Sequence, residues 1–386
     1  MHHPPSRRQF LASSLASGGL LALAGPIRRS MAAPARRHPS DVPLRVLVLG
    51  GTAMLGPAVI DATLARGHRV SMFNRGRTEA ARGTQVPAEV ERLLGDRDPR
   101  KGDGLRALKG REFDVVVDIS GLFPRHVACS ADLLQSQGVR RYVFISSISA
   151  YANHQTPGAD ESDPTVEPRN PYEEEGDEGF VYTGELKRPC EQAAERVFGS
   201  RATIVRPAYL VGPGDATGRF AYWPLRVREA VGEHAEMLVP GTPDMPIQVV
   251  DVRDLAAWLM VVAERDLSGT FNACGPETPL TFGQVLAGCE QAAGRAPRYR
   301  WATWAFLNQQ HVEMPIVLPA HGSTLGFHQR SSTRAIHAGL TFRPMRETAA
   351  AILAWWDKQP ADTKTTLRGG IALNREAELL RAMGPR

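Results

Sequence analysis

Gly50, Gly51 and Gly56 are spaced to hold a diphosphate. They close the run Leu44-Arg-Val-Leu-Val-Leu-Gly-Gly-Thr-Ala-Met-Leu-Gly56, a short apolar strand that breaks into glycines just before an amphipathic stretch. Glycine permits the tight turn and the close backbone approach, and the N-terminus of the next helix offers unpaired N–H groups to the anion. Gly50, Gly51, Thr52, Ala53, Met54, Leu55 and Gly56 form this cradle, with Ala53 small enough to stand where the spacing usually has its middle glycine. A second group of residues concerns which dinucleotide is bound. An acid ending the second strand would bond the ribose 2′-hydroxyl and favour NAD(H). Asn74 stands there instead, followed by Arg75 and, close behind, Arg77. Two guanidinium groups and no carboxylate suit a 2′-phosphate, so NADP(H) is favoured and NAD(H) is the alternative.

Such residues need a strand, a turn and a helix to position them. Leu44–Leu49 reads as a buried strand, Pro57–Arg66 as a helix and His68–Phe73 as a second strand, which makes a βαβ unit. Further strands are predicted over Val90–Leu94, Phe113–Ile119, Arg141–Ile145 and Ala202–Arg206, with a helix over Pro124–Ser136. That alternation predicts an α/β fold, a Rossmann-type doubly wound parallel sheet whose ligand lies beyond the carboxyl ends of the strands. Gly50, Asn74, Asp96, Ser120, Ser147 and Pro207 all fall at those ends. Beyond Pro207 a helix is predicted over Asp251–Arg265, a strand over Gly269–Cys274, and helices over Thr281–Ala293 and Arg346–Asp357. The expected organisation is a dinucleotide-binding domain over 43–210, a smaller C-terminal substrate lobe over 211–358 interleaved with it, and a tail over 359–386 ending in a short helix, Leu373–Met383. Trp301, Trp304, Phe306, Trp355 and Trp356 read as core of that lobe, with substrate contact as the alternative.

The first 35 residues stand apart. Ser6-Arg-Arg-Gln-Phe-Leu11 is a twin-arginine pattern, Leu11–Gly25 is mildly apolar, and Ala33-Pro34-Ala35 offers a cleavage site. This predicts a Tat export signal, with the export machinery as partner and a periplasmic or other extracytoplasmic destination. An uncleaved anchor is the variant of that reading, and an ordinary cytoplasmic reductase with a chance arginine pair is its rival. The formal net charge of +5 includes four arginines from this segment and no acid, which leaves +1 for the rest. A near-neutral body argues against a phosphate-neutralising surface, so nucleic acid is not expected as a partner. Ala152–Gly179 is rich in acids, with Arg169 its one Lys or Arg. It reads as a solvated loop that would repel polyanions if it bordered the cleft. The cysteines Cys129, Cys190, Cys274 and Cys289 and the scattered histidines show no ligand spacing, so no metal site is predicted.

Four motifs occur in order: Gly50–Gly56, Phe144-Ile-Ser-Ser-Ile-Ser-Ala-Tyr151, Arg206-Pro-Ala-Tyr-Leu-Val-Gly-Pro-Gly-Asp215 and Gln248-Val-Val-Asp-Val-Arg-Asp254. Over roughly 43–358 the chain resembles an extended short-chain dehydrogenase/reductase of the NAD-dependent epimerase/dehydratase type. The resemblance implies a catalytic Ser, Tyr and Lys. The Ser orients the substrate oxygen, the Tyr phenol exchanges a proton during hydride transfer, and the Lys lowers the phenol's pKa and holds the ribose. Ser147 and Lys187 match. It also implies that Asp96 bonds the adenine amine, that Ser120 and Gly121 pass beneath the cofactor, and that Pro207–Leu210 approach the nicotinamide.

The Tyr departs from the family spacing. Four residues before Lys187 stands Thr183, whereas Tyr182 is five before it. Five residues on a regular helix are rotated by about 140°. A one-residue π-bulge near Pro189 would bring Tyr182 and Lys187 to one side. Tyr182 as the acid/base, loss of the standard chemistry, and Tyr151 in its place are all open on the sequence. The leading expectation is an exported enzyme with tightly held cofactor doing redox-neutral work on a hydroxylated, sugar-like small molecule, because no nicotinamide pool would recharge it outside. A non-catalytic, dinucleotide-bound binding protein or scaffold is the alternative. The family includes chloroplast stem-loop RNA-binding proteins, against which the near-neutral body argues here. Helix pairing into a homodimer is common among such proteins and is the expected assembly if there is one.

Overall fold

Alternation along Arg45–Leu49 (β1) sends successive side chains into two different cores. Val46 and Val48 enter one, Leu47 and Leu49 the other, as period-two geometry requires of a strand covered on both faces. The computed structural model describes residues 42–77, 86–167, 183–215, 217–360 and 369–384. The twin-arginine segment, Arg169 and Tyr182 lie outside the described residues.

After β1 come α1 (Leu55–Ala65), β2 (Arg69–Asn74), β3 (Glu91–Leu94), β4 (Val115–Asp118), α2 (Pro124–Ser136) and β5 (Arg141–Ile145). There follow α3 (Thr183–Phe198), β6 (Ala202–Pro207), β7 (Tyr209–Val211), α4 (Tyr222–Arg228), β8 (Glu236–Pro240), β9 (Pro246–Ile247) and β10 (Val249–Asp251). The chain continues through α5 (Val252–Glu264), β11 (Gly269–Ala273), β12 (Leu280–Thr281), α6 (Phe282–Ala293) and β13 (Arg298–Ala302). Last come α7 (Trp304–Gln309), α8 (Thr333–His337), α9 (Met345–Asp357) and α10 (Leu373–Ala382).

A parallel seven-stranded sheet has the order β11-β6-β5-β4-β1-β2-β3. The winding reverses between β1 and β4, which places a topological switch point, and hence the ligand crevice, at their carboxyl ends. Val59 and Ile60 of α1 and Leu255 and Leu259 of α5 fill one core. Val127 and Leu134 of α2 and Cys190 and Ala194 of α3 fill the other. The predicted bounds of the second helix and the fifth strand are those observed. α1 begins two residues before its predicted start, because Pro57 is tolerated inside a first turn. The fourth strand is shorter than predicted, although Asp114 N–H and Ile119 N–H still donate to the carbonyls of Arg45 at 2.8 Å and Leu49 at 3.2 Å, and the Asp114 carboxylate accepts from Arg45 N at 2.8 Å and Nε at 3.2 Å.

A third core gathers Trp223, Val239, Phe282, Leu286 and Ile352. Trp301, Trp304, Phe306, Trp355 and Trp356 pack with it, so these aromatics serve as core. Although numbered with this lobe, α5 and β11 return to the large sheet. The last helix is bound in as well. Glu376 meets Arg226 Nε at 2.6 Å and accepts from the Leu238 backbone N–H at 2.9 Å, all buried.

Candidate active site

Gly50 and Gly51 adopt φ of 114° and 107°, a region that side chains with a Cβ avoid. A Cβ on Gly50 would lie 2.9 Å from Ile119 Cγ1, and one on Gly56 only 2.3 Å from Gly51 Cα. The first turn of α1 carries no acid to repel an anion and no side-chain cap, although Gly56 N–H is given to Ala53 O at 2.9 Å and Pro57 has no N–H. A cleft of about 340 Å³ opens beside this turn. It brings together Gly50, Gly51, Thr52, Ala53, Asn74, Arg75, Asp96 and Ser120, all predicted as cofactor residues. Met54, with φ of 43°, caps α1.

At one end of the cleft, Asn74 Oδ1 accepts from Gly76 N at 2.8 Å, which fixes the turn that carries the exposed Arg75 and Arg77. Asp96 Oδ1 accepts from Asp98 N at 3.0 Å. Between Asp96 and Ser120 stands Arg97, which the motifs did not single out. Its guanidinium forks onto Asp118 at 2.6 and 2.8 Å. An acid at the end of the otherwise apolar run Val115–Val117 was the available signal, since a buried carboxylate calls for a cation.

Beyond the cradle, Gly121 and Ser147 follow the carboxyl ends of β4 and β5, Lys187 lies on α3 and Pro207 ends β6. Lys187 Nζ donates to the carbonyls of Gly121 at 2.8 Å and Ile145 at 2.9 Å, and lies 5.0 Å from the centre of the Phe144 ring. Burial lowers its pKa below the ordinary lysine value, against the Asp118 and Glu191 charges that raise it. Ser147 Oγ accepts from Ser149 N at 3.1 Å. A Cβ on Gly121 would meet the Phe144 ring at 2.5 Å, which explains the glycine. One helical turn after Lys187, the buried Glu191 bonds Ser146 Oγ at 2.5 Å and Arg206 at 2.8 and 2.7 Å. That clamp holds α3 against the ends of β5 and β6.

Pro189 is buried inside α3, which is α-helical from Thr183 onward, with no π-turn among the described residues. The bulge expected to realign Tyr182 with Lys187 is therefore not found in this part of the helix. Tyr151 does not fit as a substitute acid/base. It is buried, and its OH donates to Asn272 Oδ1 at 2.7 Å. Its ring lies between the guanidinium groups of Arg330 at 3.7 Å and Arg206 at 4.6 Å. Burial raises its phenol pKa despite those cations, the wrong direction for a base.

The described part of the acidic loop also departs from a merely solvated one. Glu161 accepts from Asn272 N at 2.7 Å, and Asp163 pairs with the buried Arg330 at 3.2 Å. Nearby, His328 is buried. Its Nδ1 accepts from Gln248 N at 3.1 Å and its Nε2 lies 3.0 Å from Ile316 O, which suits a neutral ring. Burial pushes its pKa down to about 4. The unfolded chain binds this proton near the ordinary value of ~6.5, whereas the folded chain does so only near the lowered one. Stability is therefore complete above ~6.5 and falls as pH drops toward ~4, by up to roughly 3 kcal/mol. His328→Asn should remove that part of the slope in urea midpoints taken across the interval. An unchanged slope in the variant would refute the assignment.

A doubly wound sheet with a glycine cradle at its switch point and a lysine at the neighbouring strand ends defines a Rossmann-type dinucleotide-binding fold. Residues 46–274 match the model of the NAD dependent epimerase/dehydratase family. The chain belongs to that family and is an NAD-dependent enzyme of the oxidoreductase/epimerase type. It is 30% identical over 276 residues to the sterol demethylase protein B of Methylococcus capsulatus, covering 67% of this chain and 77% of that protein. It is 26% identical over 262 residues to the chloroplast stem-loop binding protein of 41 kDa b of Arabidopsis thaliana, covering 65% of this chain and 63% of the length of that relative. The UDP-glucose 4-epimerase of Thermus thermophilus, solved with NAD, shares the fold at a TM-score of 0.56 and 20% identity, covering 80% of this chain and 99% of that one.

Proposed function

We propose that the chain holds a nicotinamide dinucleotide tightly, NADP(H) in preference to NAD(H), and uses it for redox-neutral conversion of a hydroxylated, sugar-like molecule outside the cytoplasm. The observation that carries this is the placement of Lys187, whose ammonium is fixed by the carbonyls of Gly121 and of Ile145, the latter two residues before Ser147, at the carboxyl ends of the strands where the cradle also lies. A bound nicotinamide would supply reversible hydride acceptance from a substrate carbon. Lys187 holds the ribose and lowers the pKa of a neighbouring phenol, Ser147 Oγ orients the substrate oxygen, and Tyr182 exchanges the proton. Asn74 at the end of β2, with Arg75 and Arg77 on the same cleft, supports the 2′-phosphate. The twin-arginine pattern at Arg7 and Arg8 supports export. A cofactor that must survive export is kept by chemistry in which the hydride comes back. Thr183 standing four residues before Lys187 favours the second reading, a dinucleotide-bound protein without turnover.

Native mass spectrometry of the exported protein should show retained NADP(H). Sterols and nucleotide sugars, the molecules that the names of a relative and of the structural neighbours mention, are then added while the absorbance of reduced nicotinamide is followed. Tyr182→Phe should keep the cofactor and lose about 10²–10⁴-fold in turnover. Unchanged turnover removes Tyr182 from the mechanism, and a loaded protein inert to the whole panel favours the scaffold.

A further inference from the structure

Arg97 is the most heavily bonded cation of the cleft. Besides the Asp118 fork, Nη2 reaches Ser130 Oγ at 2.8 Å and Nη1 reaches Ser120 Oγ at 3.3 Å. Tyr142 donates to Asp118 Oδ2 at 2.7 Å and so steadies the carboxylate. Asp118 Oδ1 also accepts from Ser120 N at 3.1 Å, which sets the course of the chain into Gly121. Arg97 is 8% exposed, yet it lines the cleft, and its Nε–H finds no partner within the protein.

Stability alone is a poor reason for this arrangement. A buried arginine–aspartate pair gains little over well-packed apolar side chains of similar volume. A guanidinium held by one edge in a single plane, however, offers a flat cationic face. The rest of this end of the cleft suits a flat ring as well. Leu122 is 38% exposed there, and Phe123 and His126 pack edge to face with centroids 5.1 Å apart.

We propose that Arg97 is a cofactor-binding residue whose guanidinium, locked in plane by Asp118 and Ser130, is the surface on which the adenine ring stacks. The inference rests on the assignment of the cleft to an adenine dinucleotide. To test it, ADP is titrated into the full-length chain by calorimetry, with reduced nicotinamide mononucleotide as the probe for the far end. Arg97→Lys keeps the charge and loses the plane. It should weaken ADP at least about tenfold and leave the mononucleotide within about twofold. Tyr142→Phe removes, from outside the cleft, a bond to Asp118 and a long one from Arg97 Nη2 at 3.5 Å; it leaves the Asp118 fork and Ser130 holding the guanidinium, so ADP should stay within about twofold. An Arg97→Lys chain that binds ADP like the parent, or equal losses in the two variants, would make the pair structural and overturn the inference. A crystal structure of the unaltered chain with ADP is the independent check should Arg97→Lys fail to fold. A purine within about 4 Å of the guanidinium plane supports the inference, and a purine lying elsewhere overturns it. An unaltered chain that binds neither ADP nor NADPH overturns the cleft assignment itself.

Discussion

Glu191→Leu should lower the free energy of unfolding by about 3–5 kcal/mol, the cost of leaving a buried charge without its partner. Glu191 is wholly buried, and its two oxygens serve Ser146, Arg206 and Arg188 at once. Without it Arg206, itself 3% exposed, keeps its charge in a dry site. The double variant Glu191→Leu, Arg206→Met should recover most of the loss, because removing both charges also removes the desolvation penalty. Urea denaturation of the three chains is the measurement. A single variant within about 1 kcal/mol of the parent would show that the clamp is not what holds α3. The consequence for the site is direct, since Lys187 lies one turn before Glu191 on the same face of α3.

Gly56→Ala should cost about 100-fold in dinucleotide affinity and about 1–3 kcal/mol in stability. The added carbon would lie 2.3 Å from Gly51 Cα and 2.4 Å from its carbonyl carbon. Neither atom belongs to a side chain that could swing away, so α1 must retreat from the turn it packs against. The amides that face the diphosphate retreat with it. Quenching of protein fluorescence by NADPH reads the affinity, and binding within about twofold of the parent would mean that the diphosphate lies elsewhere.

Much of this was legible from local pattern. Apolar runs and the glycines after them gave β1, β5 and α2 their places, and chain order gave the crevice its ring of residues from Gly50 to Ser120. Parallel strands buried on both faces announce themselves in sequence, and each bond they make is repeated along the strand. What escaped is long-range. Arg97 meets Asp118 across 21 positions and Tyr151 meets Asn272 across 121, and no periodicity encodes either pairing. Glu161 and Asp163 looked like solvent-facing acids because their partners, Asn272 and Arg330, lie far along the chain. The spacing between Tyr182 and Lys187 is plain in the sequence, but what it means for the chemistry is decided by how α3 begins.

The placement of α5 and β11 has a temporal consequence. Thr63 on α1 touches Met260 on α5, 197 positions further along, and Arg66 and His68 both lean on Glu264. A ribosome making this chain extrudes the phosphate-gripping turn early, yet the slab that backs its helix emerges only after most of the second lobe's first strands. Until then the turn stands on half a foundation. Nucleotide capture should therefore come late in synthesis, and a truncated chain ending before α5 should neither hold nucleotide nor resist proteolysis.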